Sequence, residues 1–321
     1  MLTTWLGGLG SKLAEGWAGR ALSPAFLFWL GGFGAVAFGP DGARRVADAT
    51  SALNGAPAIL QVLAIGGAVA LVAVSEQLSK GLALGVMRLL EGYWPMFTKP
   101  VRGLLVGSVS RARAKDRISW SALNEKIDRD GAAGLTAEDG QDYSGLELRL
   151  HRVPSAVGLQ MPTRFGNTLR AAEIRIAGRY GLDPVLSWPS YWLVLPELAR
   201  TELANARAAL DADIQTWLWA VLFCLWAAVL WWWPPLVAGL IVAVVTYYGW
   251  LLPAAATYGD LLEAVYGLHR VKLYEAFGRK MPCDLTEERA AGFSLTQLIW
   301  HGPVEAPANV SDGAARPPES A

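Results

Sequence analysis

Charged residues, cysteines and histidines are all scarce in this sequence. Only 17% of its 321 residues are Asp, Glu, Lys or Arg, whereas 53% are hydrophobic; an ordinary soluble domain is about 25% charged. Cys224 lies inside an apolar run and Cys283 in a polar region, so the pattern argues against a disulfide between them and fits a reducing compartment. The formal net charge is zero, which gives no global bias toward nucleic acid.

Motifs of the common enzyme classes are also missing. The sequence has no Walker loop, dinucleotide fingerprint, HExxH, GxSxG or paired CxxC motif. A metal site built from His269, Cys283 and His301 would match no standard ligand spacing. We therefore expect a non-enzymatic protein with no catalytic residues, no metal and no cofactor.

Four long apolar segments dominate what is present. Each approaches the length of about 20 residues that a helix needs to cross a bilayer. They are residues 22–39, 56–75, 214–233 and 236–252. The predicted fold class is an all-α integral membrane protein, with four transmembrane helices in two hairpins and a mainly helical cytoplasmic domain between and after them.

The second hairpin carries the clearest signal. Residues 214–252 contain no Asp, Glu, Lys, Arg or His. The adjacent Pro234 and Pro235 break any single helix, because proline lacks a backbone donor and restricts the residue before it. Tryptophans near both ends of the first half, such as Trp217 and Trp232, are typical of the membrane interface. A buried hairpin of a soluble protein is the alternative.

The distribution of basic residues predicts the orientation. Of the 28 Lys and Arg residues, only Arg44 and Arg45 fall in the loop of the first hairpin, and the proline loop of the second has none. Because positive residues accumulate on the cytoplasmic side, both termini and the central region should be cytoplasmic, in a multi-pass protein of the bacterial inner membrane. Small residues in the first pair also fit close packing of its two helices or a homo-oligomer contact, or chance in a chain rich in Ala and Gly.

The chain divides accordingly into seven regions. They are an amphipathic N-terminal segment (1–21), the first transmembrane hairpin (22–75), a basic amphipathic segment on the membrane surface (76–117), a cytoplasmic domain (118–213), the second hairpin (214–255), cytoplasmic helices (256–300) and a disordered tail (301–321). Within them, residues 146–154 alternate like a short strand. Two capping-box patterns after Asp284 and Ser294 predict two short helices.

Two groups of polar residues are candidate sites. Arg111, Arg113, Lys115 and Arg117 form a basic cluster that should meet anionic lipid headgroups; without aromatic interleaving or a recognised motif, nucleic acid is the disfavoured partner. The second group is Arg164, Asn167, Arg170 and Glu173, spaced by three residues on one helix. This group predicts a surface for an anionic ligand or a protein partner, or simply a solvated helix face.

The second group belongs to a segment with its own signature. Thr163 should cap a helix whose face carries Phe165, Leu169, Ala172 and Ile176, and Gly181 should end it. With its PTRFGN, AAE, RYG and WP motifs, residues 162–255 resemble a family of uncharacterised bacterial multi-spanning membrane proteins in which this segment precedes a transmembrane hairpin. The resemblance implies a membrane location and no assigned activity.

We therefore predict a scaffold or sensor that acts through its cytoplasmic domain. An oligomeric channel or pore-forming effector gated by that domain is the alternative. The four predicted crossings carry no ionisable residue at mid-depth, which disfavours ion or proton transport through a single subunit.

Overall fold

All regular secondary structure in the described part of the chain is helical. The computed structural model describes residues 23–131 and 134–302, and within these ranges it contains helices and no strand. The predicted all-α class is therefore confirmed for these residues. The predicted N-terminal segment and almost all of the predicted tail lie outside the described residues.

Twelve α-helices follow in chain order within the described residues, joined by short turns. They are α1 (Pro24–Phe38), α2 (Gly42–Gly55), α3 (Ala58–Glu91), α4 (Lys99–Asp130), α5 (Ala137–His151), α6 (Arg164–Tyr180), α7 (Pro184–Val194), α8 (Glu197–Phe223), α9 (Leu225–Leu230), α10 (Pro234–Thr246), α11 (Leu252–Ala276) and α12 (Leu285–His301).

Three helical segments are long and apolar enough to cross a membrane. They are Ala58–Asp130, Glu197–Leu230 and Pro234–Ala276. The first predicted crossing corresponds to α1, a shorter apolar helix of 15 residues. Helix α3 continues well past the predicted end of the second crossing, since it reaches Glu91 before Gly92 ends it with a φ of 97°.

Two local predictions are wrong. The predicted strand is the end of helix α5, which begins at a complete capping box: the backbone N–H of Asp139 donates to Thr136 Oγ1, and that of Thr136 donates to Asp139 Oδ2, both at 3.1 Å. A short alternating run does not outweigh that start signal. The two predicted short helices are one, α12, in which Asp284 caps the start and Ser294 lies in mid-helix without interrupting it.

The proline pair does separate two helices, although the prolines themselves belong to the second one. Trp231 adopts the left-handed conformation at φ 49°, and the N–H of Trp232 donates to the carbonyl of Ala227 at 3.1 Å. Pro234 and Pro235 then open α10, where the missing donors cost nothing because the first N–H groups of a helix have no partner within it. A Cβ at Gly239 would lie 2.7 Å from Cys224 Sγ, so the two helices approach closely.

A wide π-type turn, Tyr247–Leu251, interrupts the path from α10 to α11. It directly precedes Leu252 and Pro253, and a proline there cannot donate to the carbonyl four residues before it. Leu251 and Ala255 lie on the buried side, in a core cluster. The other buried members of that cluster are Met87, Leu90, Phe165, Leu169, Leu210 and Ile214.

The described chain forms two compact units. Unit 1 comprises the residues up to Ala171 together with Leu203–Gly259, and unit 2 comprises Ala172–Glu202 together with the residues from Asp260 onward. The core cluster above belongs to unit 1. The boundary falls inside helices α6, α8 and α11.

Unit 2 has a core rich in tyrosine and one buried ion pair. Tyr191 donates to the carbonyl of Val265 at 2.7 Å, and burial raises the pKa of its hydroxyl far above the ordinary range. Arg270 Nε lies 2.5 Å from Glu288 Oε1, and its guanidinium carbon is 4.4 Å from the centre of the Tyr180 ring. Glu288 is only 2% exposed, so this arginine is paired inside the protein.

Candidate anion-binding site

Helix α6 starts at a dense set of local hydrogen bonds. Thr163 Oγ1 accepts from the N–H of Gly166 at 3.0 Å, as the sequence predicts, and donates to the carbonyl of Leu90 at 2.5 Å. The Asn167 amide accepts from the N–H of Met161 at 2.8 Å and donates to the carbonyls of Met161 and Thr163, both at 2.7 Å. Asn167 is only 1% exposed. Its amide therefore fixes the start of the helix instead of facing a ligand.

The same helix start packs directly on the end of α3. A Cβ at Gly166 would overlap the carbonyl of Glu91, and one at Gly92 would overlap the Pro162 ring. Only glycine permits this approach without displacing backbone. The close contact fixes the position of Arg164, two residues before Gly166, relative to α3.

One member of the basic cluster is turned inward. Arg113 Nη1 donates to the carbonyls of Leu150 and Val153, each at 2.7 Å, and so ties α4 to the end of α5 and the loop after it. The remaining members of the cluster, Arg111, Lys115 and Arg117, are exposed. Their solvated side chains stay compatible with the predicted contact to headgroups.

A cavity of about 220 Å³ in unit 1 brings the two predicted groups together. Arg113 from the basic cluster and both Arg164 and Asn167 from α6 line it. Two further arginines, Arg149 and Arg152, contribute from the end of α5. Its other lining residues are Val109, Ala112, Asp116, Leu150, Val153, Thr168 and Leu252.

The charge of the cavity is strongly positive. Asp116 is the single carboxylate among the lining residues, against four arginines, and its Oδ2 lies 3.4 Å from Arg149 Nε. Within residues 23–131 and 134–302, Arg152 and Arg164 have no carboxylate partner. The guanidinium of Arg164 instead lies over the ring of Tyr248, 5.8 Å from its centre.

Guanidinium groups in this setting suit an oxyanion. Each presents a rigid fork of N–H donors that matches carboxylate or phosphate oxygens. Arg113 is held in place by two backbone carbonyls, so part of the donor set is preorganised. The geometry can therefore bind an anion without a metal ligand; the described residues contain no group of His, Cys, Asp and Glu that could hold a metal ion.

The remaining predicted site residues lie elsewhere. Arg170 and Glu173 do not line the cavity, and Glu173 belongs to unit 2. Sequence reasoning missed Arg149 and Arg152. Their spacing of three residues places them on one side of a helix end, a signal that the assignment of this stretch to a strand concealed.

A larger cavity, of about 540 Å³, lies in unit 2, and two of its polar residues serve the fold. Asp183 accepts from the N–H groups of Val185 and Leu186 and caps α7. Thr296 Oγ1 accepts from the N–H of Asp183 at 3.1 Å. These bonds hold unit 2 together. The cavity of unit 1 is the stronger candidate for an anion, because four arginines line it, whereas the larger cavity has only one, Arg289, among its described lining residues.

The chain was compared with protein-family models, curated proteins and solved structures. None of the three comparisons finds a match. The resemblance carried by residues 162–255 therefore stays a prediction, and function is argued from the geometry of the chain itself.

Proposed function

We propose that this chain is a non-enzymatic integral protein of the bacterial inner membrane that acts as a scaffold or sensor through its cytoplasmic parts. The observation that carries the proposal is the exposure of its apolar helices. None of the most apolar stretch of segment Ala58–Asp130 is buried within the protein. So large an apolar surface is stable in water only when another apolar phase covers it.

The proposal includes four crossings. Helix α1 spans about 22 Å at 1.5 Å per residue, less than the hydrocarbon thickness of about 30 Å, and local thinning of the bilayer can accommodate such a mismatch. Its packing supports a place beside the other apolar helices of unit 1. Trp29 Nε1 donates to Ser75 Oγ on α3 at 3.1 Å, and the Phe28 ring lies 4.8 Å from that of Trp219 on α8.

The proposed orientation places the arginine cavity on the cytoplasmic side. Arg44 and Arg45, on α2, are the basic residues left on the opposite side, and both are exposed. Arg111, Lys115 and Arg117 on α4 then lie beside the inner leaflet, where each contributes about 1 kcal/mol of attraction to anionic lipid.

Extraction and reporter fusions test the location. We expect the full chain to stay in the membrane pellet after washing at alkaline pH. A fluorescent reporter fused after Ala321 should be active, because we expect that end in the cytoplasm. A phosphatase reporter placed in the loop after Phe38 should also be active, because we expect that loop in the periplasm. Recovery of the chain in the soluble fraction, or phosphatase activity of a fusion after Ala321, contradicts the proposal.

A flux assay separates the scaffold from the channel. Liposomes that contain the purified chain should retain their trapped ions, because the crossings carry no ionisable residue at mid-depth. Ion release by an oligomer of defined size would replace the scaffold proposal with the channel.

A further inference from the structure

The arginine cavity lies at the level where the fourth crossing is proposed to end. Leu252, the last residue of that crossing, lines the cavity together with Val109 from α4 and Val153 from the loop after α5. Resting on the proposed function, this places the arginines at the depth of the inner-leaflet headgroups, with apolar side chains beside them. We infer that the cavity binds the phosphate group of an anionic ligand.

The number of arginines, and the separate helices they come from, favour phosphate over carboxylate. The arginines come from three helices or their ends: Arg113 from α4, Arg149 and Arg152 from α5 and the residue after it, and Arg164 from α6. A planar carboxylate is satisfied by one guanidinium fork, whereas a tetrahedral phosphate offers oxygens to donors that approach from several sides. Convergence from three helices fits the second geometry.

Two of the four arginines are the best placed to hold the anion. Arg113 uses one terminal nitrogen on backbone carbonyls, and Arg149 lies near Asp116. Arg152 and Arg164 have no such carboxylate among the described residues, and stacking on Tyr248 keeps Arg164 in place without satisfying its N–H groups. Their positive charge is therefore available to a phosphate.

A phospholipid headgroup and a soluble phosphate share this chemistry, and two probes separate them. The purified full chain in a neutral detergent is titrated with inorganic phosphate by calorimetry. In parallel, phosphatidylglycerol and phosphatidylcholine are offered in equal amounts, and the lipid retained is counted by native mass spectrometry. Binding of inorganic phosphate indicates a soluble ligand, and selective retention of phosphatidylglycerol indicates the headgroup; either supports a phosphate site.

The test uses a double variant of the cavity, Arg152→Gln with Arg164→Gln. The control is a double variant of the surface, Arg111→Gln with Arg117→Gln. Both pairs remove two positive charges from the same unit, but the control residues do not line the cavity. We expect the first pair to weaken binding of the effective probe at least tenfold, because each lost charge-assisted bond costs about tenfold or more in affinity. The control pair should change it less than threefold.

Three results overturn the inference. They are no binding of either probe by the unaltered chain, equal binding by the cavity variant, and an equal loss in the control pair, which would show attraction to surface charge alone. Unchanged circular dichroism confirms that the variants fold. The inorganic phosphate titration does not depend on a membrane location, so the phosphate site can survive failure of the extraction test and can fail while that test succeeds.

Discussion

Arginine serves two different purposes in the two compact units. In unit 2, Arg270 is paired with Glu288, lies against the Tyr180 ring and donates to the carbonyl of Gly267. In unit 1, Arg152 and Arg164 line a cavity without a carboxylate partner among the described residues. The first arrangement uses up the donors of the guanidinium, and the second leaves them to a ligand.

The comparison teaches where stability and binding reside. A buried pair that loses one partner leaves an uncompensated charge, so unit 2 should be sensitive to substitution. Partly exposed arginines without partners cost little to remove, so their loss should affect binding and leave the fold intact. Five substitutions test this division and the helices that carry the cavity.

Replacing Glu288 with Gln should have the largest effect. The side chain of Arg270 is only 17% exposed, and losing its carboxylate should lower the free energy of unfolding by about 3–5 kcal/mol. Thermal unfolding of the full chain in detergent measures it. The neighbouring Glu287 is exposed, and Glu287→Gln should change stability by less than about 0.5 kcal/mol. Equal stability of the two variants would remove the distinction between the units.

Replacing Gly166 with Ala should destabilise the scaffold of the cavity. The new Cβ would overlap the carbonyl of Glu91, and backbone must move to relieve it; overpacking of this kind costs about 1–3 kcal/mol. Gly178 on the same helix has open space at its Cβ position. Gly178→Ala should therefore stabilise the chain by about 0.4–1 kcal/mol. We expect the melting temperature to fall in Gly166→Ala and to rise in Gly178→Ala. Shifts in the same direction contradict the prediction.

Helix α5, which carries Arg149 and is directly followed by Arg152, should depend on its first turn. Thr136→Ala removes a helix cap worth about 1 kcal/mol. A control is Thr201→Ala, since Thr201 bonds only the carbonyl of Glu197 within its own helix. Hydrogen exchange should show faster exchange of the backbone amides of α5 after the first substitution and no change after the second.

Asp139 in the same first turn of α5 predicts that the stability of the chain falls at acidic pH. A hydrogen bond from Lys126 and two from Thr136 lower the pKa of Asp139 from 3.8 to about 2. The folded state thus favours the ionised form, so this stabilisation is present above pH 4 and is lost as the pH falls toward 2. Lys126→Met should weaken that part of the pH dependence of the melting temperature. An unchanged profile would show that the bond from Lys126 does not lower the pKa of Asp139.

Replacing Arg152 with Gln should have the smallest effect on stability, below about 0.5 kcal/mol. Unfolding in the same detergent gives the comparison with Glu288→Gln. A loss as large as that of the buried pair would mean that Arg152 serves the fold and not a ligand.

Helix α6 and the break before α10 are largely predictable because their signals are local. Thr163, the buried face of α6 and Gly181 at φ 71° all occur where capping and periodicity place them. The break between α9 and α10 follows from the proline pair. Length is harder to predict, since α3 has no internal stop signal before Gly92 and runs through residues assigned to two regions.

The cavity could be predicted only in part. Arg113 and Arg164 stand out as charged residues in their own segments, but nothing local shows that α4 and α6 meet at one cavity. That depends on tertiary contacts, above all the approach of Gly166 to the end of α3 and the bonds from Arg113 to the carbonyls after α5. Asn167 is misleading in sequence, because a buried amide that bonds backbone looks the same as a ligand-binding one.

The wide turn at Tyr247–Leu251 absorbs one extra residue in the helical path from α10 to α11. Deleting Gly249 should therefore convert the turn into regular α-helix and leave Leu251 and Ala255 in the core cluster and Leu252 at the cavity. A deletion within the regular turns of α11 would instead rotate every later residue of the helix by about 100° around its axis. A change in length should therefore be tolerated better at this turn than inside the helix that follows it.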